Sequence, residues 1–290
     1  MVSSEQKSKA VLFLKLHKDS EILVLLNAWD PGSSKLVAAN GLKAIGTTSM
    51  GISATLGYPD CQATPVTEMV DALAKIVNSV SVPVTADMEA GYGKDINEIV
   101  QNAEMFIATG IAGVNIEDSV ALSPQLLDEA EFCKRIAAIR ALSDSLGFHL
   151  VINARTDVFI TQSGAPEHRL AEVIRRGNRY REAGADCIFI PDVSEEDMIA
   201  TLVKEINAPV NILVNPTRGS GLPPTISRLQ DLGVARVSFG SSIMKATLTM
   251  TKKVISEVIE KGTYSVLLEN LSPIPESLKA YNMATGQYNK

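Results

Sequence analysis

The chain has 290 residues, 46% of them hydrophobic, and a formal net charge of −6. It can build a large core, and with no Lys/Arg block the acidic balance argues against nucleic acid as a partner. Three widely spaced cysteines with no CxxC or Cys/His pairing argue against structural zinc. No run of about 18 apolar residues suggests a membrane span, so a cytoplasmic protein is expected.

MVSSEQKSKAVLFLKLHKDSE opens the sequence with a short apolar stretch but without the layout of a signal peptide. ILVLLNAWD (22–30) reads as the first strand and KAIGTTS (43–49) as the second. VTEMVDALAKIVNSV (66–80) has helical spacing and leads to a third strand, PVTADME (83–89). INEIVQNAEMFIATG (96–110) then precedes the strand GVNIED (113–118), and LLDEAEFCKRIAAIRALSDSLG (126–147) precedes HLVINART (149–156). EHRLAEVIRRGNRYREAGA (167–185) leads to CIFIPD (187–192), and EEDMIATLVKEI (195–206) to PVNILVN (209–215). ARVSFGSS (235–242) is the eighth strand, and residues 243–290 are largely helical in pattern.

Eight near-continuous apolar strands alternating with amphipathic helices imply a parallel sheet covered by helices. The expected fold is α/β, a single (β/α)8 TIM barrel over residues 1–290 with a C-terminal helical extension. An open doubly wound sheet is the competitor, but no GxGxxG follows the first strand. The apolar positions of 243–290 exceed what one barrel helix needs, so part of this tail is expected to pack on a partner subunit.

In a barrel the carboxyl ends of the strands form one face, where chemistry gathers. Here those ends carry Trp29-Asp30, Thr47-Thr48-Ser49, Asp87 with Glu89, Glu117-Asp118, Arg155-Thr156-Asp157, Pro191-Asp192 and Asn215. Asp60 follows in the loop after the second strand. Carboxylates so close would repel and raise one another's pKa, and a divalent cation removes the conflict. An all-oxygen set suits Mg²⁺ or Mn²⁺, with one or two carboxylates direct and the rest through water. Asp87, Glu89 and Glu117 are the metal candidates. Any single strand-end Asp is as readily a helix cap, and Asp30, Asp118 and Asp192 look like caps. Arg155 is either a structural ion-pair partner or a clamp for a carboxylate or enolate oxygen. His17, His149 and His168 lie away from the mouth, with His149 at the opposite face. Cys61 is near the mouth but reads as a spectator, and Met50 and Met88 as core fillers.

With LGYPD, DMEAGYG, NIED, NARTD, FIPD and ILVN in this order, the chain resembles the isocitrate lyase/phosphoenolpyruvate mutase superfamily from about Leu25 to Ser242. The resemblance implies that Asp87 binds Mg²⁺ directly, and Glu89 stands where the family usually has a second Asp. It makes Glu117 and Asp60 members of the acidic network and, with Arg155, the catalytic candidates. It also places Thr47, Thr48, Ser49, Arg155 and Asn215 at the substrate. Family members are typically tetramers that exchange the last helix, so a homo-oligomer, tetramer or dimer, is implied. One departure stands out: the stretch EDSVALSPQLLDEAEF (117–132) lacks both the lyases' Lys-Lys/Arg-Cys-Gly-His loop and the Lys and Asn of the phosphonate enzymes.

What remains is equipment for a small 2-oxo acid. The expected function is a Mg²⁺-dependent lyase cleaving or decarboxylating a small 2-oxo or 2-hydroxy (di)carboxylic acid through a metal-stabilised enolate. Water, Tyr92 or Ser119 would supply the proton. The alternatives are mutase-type phosphoryl transfer on phosphoenolpyruvate or phosphonopyruvate, a non-catalytic oxo-acid-binding member, and a phosphosugar barrel suggested by VSFGSS.

Overall fold

A computed structural model of the chain describes residues 2–119, 123, 125–217 and 221–271. Nine parallel strands form one nearly closed barrel: β1 (Leu23–Leu25), β2 (Asn27–Ala28), β3 (Ile45–Thr47), β4 (Val84–Asp87), β5 (Gly113–Glu117), β6 (Val151–Arg155), β7 (Cys187–Ile190), β8 (Val210–Leu213) and β9 (Arg236–Ser238). β1 and β2 are the two halves of the first predicted strand. The first half pairs with β9, Leu25 opposite Ser238, and the second with β3, Asn27 opposite Gly46. The circle of eight is thus completed through a single interrupted strand. Asn27 fastens this seam. Its Nδ2 donates to Thr47 O (2.8 Å), and its Oδ1 accepts from the amides of Phe239 (3.0 Å) and Gly240 (2.9 Å).

Helices connect the strands on the outside: α2 (Pro31–Ala39), α3 (Ser49–Leu56), α4 (Val66–Asn78), α5 (Ile96–Ala108), α6 (Glu129–Ser145), α7 (Val158–Thr161), α8 (Pro166–Glu182), α9 (Glu196–Glu205) and α10 (Ile226–Asp231). Their spacing explains them. In α5, Asp95 caps the Glu98 amide (3.0 Å), and Ile99, Ala103, Phe106 and Ile107 fall on the one face that is buried. Asp30 caps α2, as its position before Pro31 suggests, accepting from Ser33 N at 2.6 Å.

The N-terminal apolar stretch, which carries no clear helical or strand pattern, is itself a helix, α1 (Ser4–Leu16). Its moment is weak because the apolar and charged residues are mixed around it, yet Ala10 and Phe13 are fully buried. It covers the amino-terminal end of the barrel. Gln6 Nε2 donates to the carbonyls of Ile107 (2.8 Å) and Ile111 (2.9 Å), and Phe13 lies against Gly113. A Cβ on Gly113 would stand 2.9 Å from the Phe13 ring and 2.7 Å from Val151 O, so the contact requires glycine.

Two expected caps are corrected. Asp118 is fully buried and accepts from Tyr180 Oη (2.6 Å), Thr156 Oγ1 (2.8 Å), the Asp157 amide (2.8 Å) and Arg176 Nη1 (3.1 Å). It joins β5, β6 and α8, and begins no helix. Asp192 lies in left-handed backbone (φ 62°) ahead of Glu195, the residue preceding α9.

After β9 come α11 (Ser242–Lys261) and α12 (Ser265–Asn270). Met244 is the one buried residue of α11, while Leu248, Ile255, Val258 and Ile259 are exposed, as are Leu267, Leu268 and Leu271 beyond it. Residues 272–290 of the predicted extension lie outside the described residues.

Candidate active site

The carboxyl ends of the strands surround a cavity of about 330 Å³. Asp87, the last residue of β4, points into it with its Oδ2 held by the Ser49 amide (3.0 Å) and hydroxyl (2.8 Å). Ser49 opens α3, so this oxygen is fixed at a helix N-terminus, where negative charge is favoured. Oδ1 of Asp87 makes no hydrogen bond among the described residues.

Glu89 stands two residues further, where the backbone turns sharply. Glu89 (φ 47°), Gly91 (φ 105°) and Tyr92 (φ 57°) all have left-handed backbone. Only glycine adopts it freely, so the segment needs outside support. Asn102 supplies it, donating to Gly91 O (3.1 Å) and Tyr92 O (2.9 Å). The turn aims the Glu89 carboxylate at the Gln62 amide (2.9 Å) and the Tyr92 hydroxyl, both of which donate to it.

Glu117 and Arg155 end the neighbouring strands β5 and β6, paired in register. Arg155 Nη1 lies 2.8 Å from Glu117 Oε2, and its Nε and Nη2 grip Asp157 at 2.6 and 2.8 Å. A guanidinium has five N–H donors, of which Asp157 takes the one on Nε and one on Nη2, which leaves the Nη1 pair beside Glu117 and one on Nη2. The ring of Phe189 lies 5.7 Å beneath the guanidinium carbon. Ser119 Oγ donates to Glu117 Oε1 at 2.5 Å.

Burial and shared negative charge govern the electrostatics. Burial, with Asp87 beside it, pushes Glu89 up to about 8 despite the Tyr92 hydrogen bond. Burial also raises Glu117, against the pull of Arg155 and with the push of Asp157, and it raises Asp60. Arg155, although buried, is held even more firmly protonated by Asp157 and Glu117. Among the described residues no three His, Cys, Asp or Glu groups are drawn together into a ready metal cage. Among the described residues Glu89 and Glu117 are turned to their own donors, whereas Asp87 keeps Oδ1 without a hydrogen bond. An all-oxygen donor set of this kind suits a hard divalent ion that keeps much of its water.

Of the predicted site residues, Asp60, Asp87, Glu89, Glu117, Arg155, Thr48, Ser49 and Asn215 all line the one cavity. Thr47 does not: it is buried behind the wall, its Oγ1 accepting from the Asp87 amide at 3.0 Å, because its side chain alternates away from its neighbours'. Tyr92 likewise sits behind Glu89, whereas Ser119 reaches the cavity. Met50 lines the cavity, contrary to its reading as core filler, while Met88 is fully buried. His149 is at the far end of the barrel, 2.6 Å from Asp186. Residues 120–122 and 124, within the departed loop, lie outside the described residues. Of two further cavity residues, Asp157 is grouped with Arg155 at its strand end in the sequence but given no role there, and Asn115 is not singled out. Asp157 is two positions past Arg155, and Asn115 two before Glu117; the period of a strand could have placed both in the cavity.

The sequence profile of the family described as phosphoenolpyruvate phosphomutase matches residues 13–259. An uncharacterised protein of Mycobacterium tuberculosis is 38% identical over 79% of this chain and 81% of its own length. The 2-methylisocitrate lyase of Halalkalibacterium halodurans is 26% identical over 92% of this chain and 87% of its own. A crystal structure from Burkholderia cenocepacia, described as that of a candidate lyase/mutase, superposes with a TM-score of 0.88 at 27% identity, covering 97% of this chain and 98% of that one.

Proposed function

Because the chain belongs to the phosphoenolpyruvate phosphomutase family, we propose that its acidic mouth is the active centre of a carbon–carbon lyase acting on a small 2-oxo or 2-hydroxy (di)carboxylic acid. The observation that carries this reading is the meeting, in one cavity, of Arg155 with Asp60, Asp87, Glu89 and Glu117. The N–H groups of Arg155 that Asp157 does not take suit a carboxylate oxygen of the substrate. The hydroxyl of Thr48 suits another of its oxygens, while the amide and hydroxyl of Ser49 stay with Asp87.

Asp87 would hold a Mg²⁺ or Mn²⁺ ion through its free oxygen, with Glu89 and Glu117 reaching it through water. When bound, the ion supplies Lewis-acid polarisation of the substrate's oxo group. The chain's own residues do the rest. Arg155 would fix the carboxylate, Phe189 and Leu213 would limit the water around it, and Ser119, hydrogen-bonded to Glu117, would pass a proton to C3 after its bond breaks, water restoring the proton to the hydroxyl.

Steady-state assays on oxaloacetate and on 2-methylmalate-like acids test this, run with and without EDTA. Turnover that survives complete metal removal would sink it. The family's description favours a second reading, mutase-type phosphoryl transfer on phosphoenolpyruvate or phosphonopyruvate. A new phosphorus NMR resonance on incubation with either would establish it. Metal-dependent oxalate binding without turnover of any acid would instead mark a non-catalytic member.

The barrel and its tail are proposed to act as one domain in a homo-oligomer, dimer or tetramer, with the tail exchanged between subunits. The apolar face left exposed on α11 and α12 supports this. A cytoplasmic location fits three cysteines of which none is in a disulfide.

A further inference from the structure

Asn115 lies in the middle of β5, two residues before Glu117, and lines the floor of the cavity. Which end of its side-chain amide faces the cavity is decided from below. Arg236 Nη2 stands 3.2 Å from Asn115 Oδ1, and Asn153 Nδ2 donates to the same oxygen at 2.8 Å. A guanidinium has five donors and no acceptor, so only the oxygen end of the amide can face it. Nδ2 is then the end left to the cavity, and among the described residues it has no partner.

Arg236 is an unusual support. It is completely buried and forms no ion pair with a carboxylate among the described residues, a costly arrangement for a charge. The Phe13 ring lies 5.9 Å from its guanidinium carbon and His17 Nε2 lies 3.5 Å from Nη1. Burial draws its pKa down to about 10, which leaves it a cation at neutral pH. Among the described residues its Nε and the Oδ1 of Asn153 have no hydrogen-bond partner. A purely structural floor would be better served by apolar side chains. A charge kept here polarises the Asn115 amide and excludes the flipped orientation.

We propose that Asn115 is a substrate-positioning residue whose Nδ2 donates to an oxygen of the bound oxo-acid anion, and that Arg236 positions it. This rests on the reading of the cavity as an oxo-acid site. A neutral donor on the floor holds a substrate oxygen without drawing the carboxylates of the mouth into a competing ion pair, as another cation would.

Calorimetric titration of the full chain with oxalate, in the presence of Mg²⁺, tests the proposal. Asn115→Ala is expected to weaken oxalate binding about 10- to 100-fold, the range for a hydrogen bond to a charged group. Arg236→Met should weaken it comparably, Arg236→Lys, still donor-only, should restore most of it, and the double variant Asn115→Ala/Arg236→Met should be no weaker than either single one. Binding by Asn115→Ala within twofold of the parent, or effects of the two that simply add, would overturn it. If Arg236→Met does not fold, Asn115→Asp decides. It removes the donor while pairing with Arg236, so oxalate binding should vanish with the melting temperature kept or raised, and parent-like binding would overturn the proposal. Failure of the parent itself to bind oxalate would overturn the functional reading instead, and this inference with it.

Discussion

Arg155 is shared between Glu117 and Asp157, both largely out of water, so its removal leaves two like charges facing one another. Arg155→Ala is expected to lower stability by about 3–5 kcal/mol, as for other broken buried pairs, in urea unfolding at neutral pH. A change below about 1 kcal/mol would mean that the carboxylates are already compensated by something else. His17 makes the opposite kind of prediction. Burial, with Arg236 beside it, lowers its pKa to about 4, and its Nδ1 donates to Phe13 O at 2.8 Å. The unfolded chain therefore takes up this proton first, near pH 6.5. The resulting stability is complete above about pH 6.5 and is lost as pH falls from there to about 4, by about 3 kcal/mol in all. Comparing unfolding curves of the parent and His17→Gln across that window isolates the effect, because the raised carboxylates act equally in both. Parallel curves would refute it.

At the level of whole elements, α1 makes a close approach to the barrel through Phe13. Phe13 reaches the barrel end because β5 begins with glycine, and Gly113→Ala would drive a methyl group into both the ring and Val151 O. The expected loss is about 1–3 kcal/mol in thermal unfolding. Phe13→Ala in the same background should cost less than it does alone, since the ring is already displaced; strict additivity would show that the two do not meet. The same helix end carries His17 beneath Arg236, so an element far from the mouth bears on the floor of the cavity. β5 is the central member of this arrangement. It offers Gly113 to α1, Asn115 to Arg236, Glu117 to Arg155 and Asp118 to α8, each set by the alternation of one strand.

For the molecule as a whole, the barrel face and the tail carry different expectations. Ile259 is 79% exposed and Leu268 74% exposed, values better suited to an interface than to a solvated helix. Light scattering is expected to give a dimer or tetramer, and the double substitution Ile259→Asp/Leu268→Asp to shift it toward monomer. A parent chain that is monomeric at micromolar concentration would remove the proposed exchange of the tail. Calorimetry on metal-stripped protein is expected to show uptake of Mg²⁺ or Mn²⁺ that Asp87→Asn abolishes. No uptake, even with oxalate present, would leave the acidic rim a structural feature.

The amino-acid order alone determined the alternation of strands and helices, the barrel that eight such units close, and the set of acidic and basic residues at its mouth. Those follow from periodicity and from strand polarity, which are local. It could not show that α1 is a helix, because the apolar residues of AVLFLKL lack a clean face and become buried only against Gly113 and its neighbours. Nor could it distinguish Asp30, a true cap, from Asp118, a buried hub. Both precede an apparent break, and the difference lies in Tyr180 and Arg176, some sixty residues away in sequence. The inward turn of Asn115, the displacement of Thr47 behind the wall and the grip of Asp157 on Arg155 were likewise decided only by tertiary structure. Each depends on which partner a neighbouring strand or helix brings within hydrogen-bonding distance.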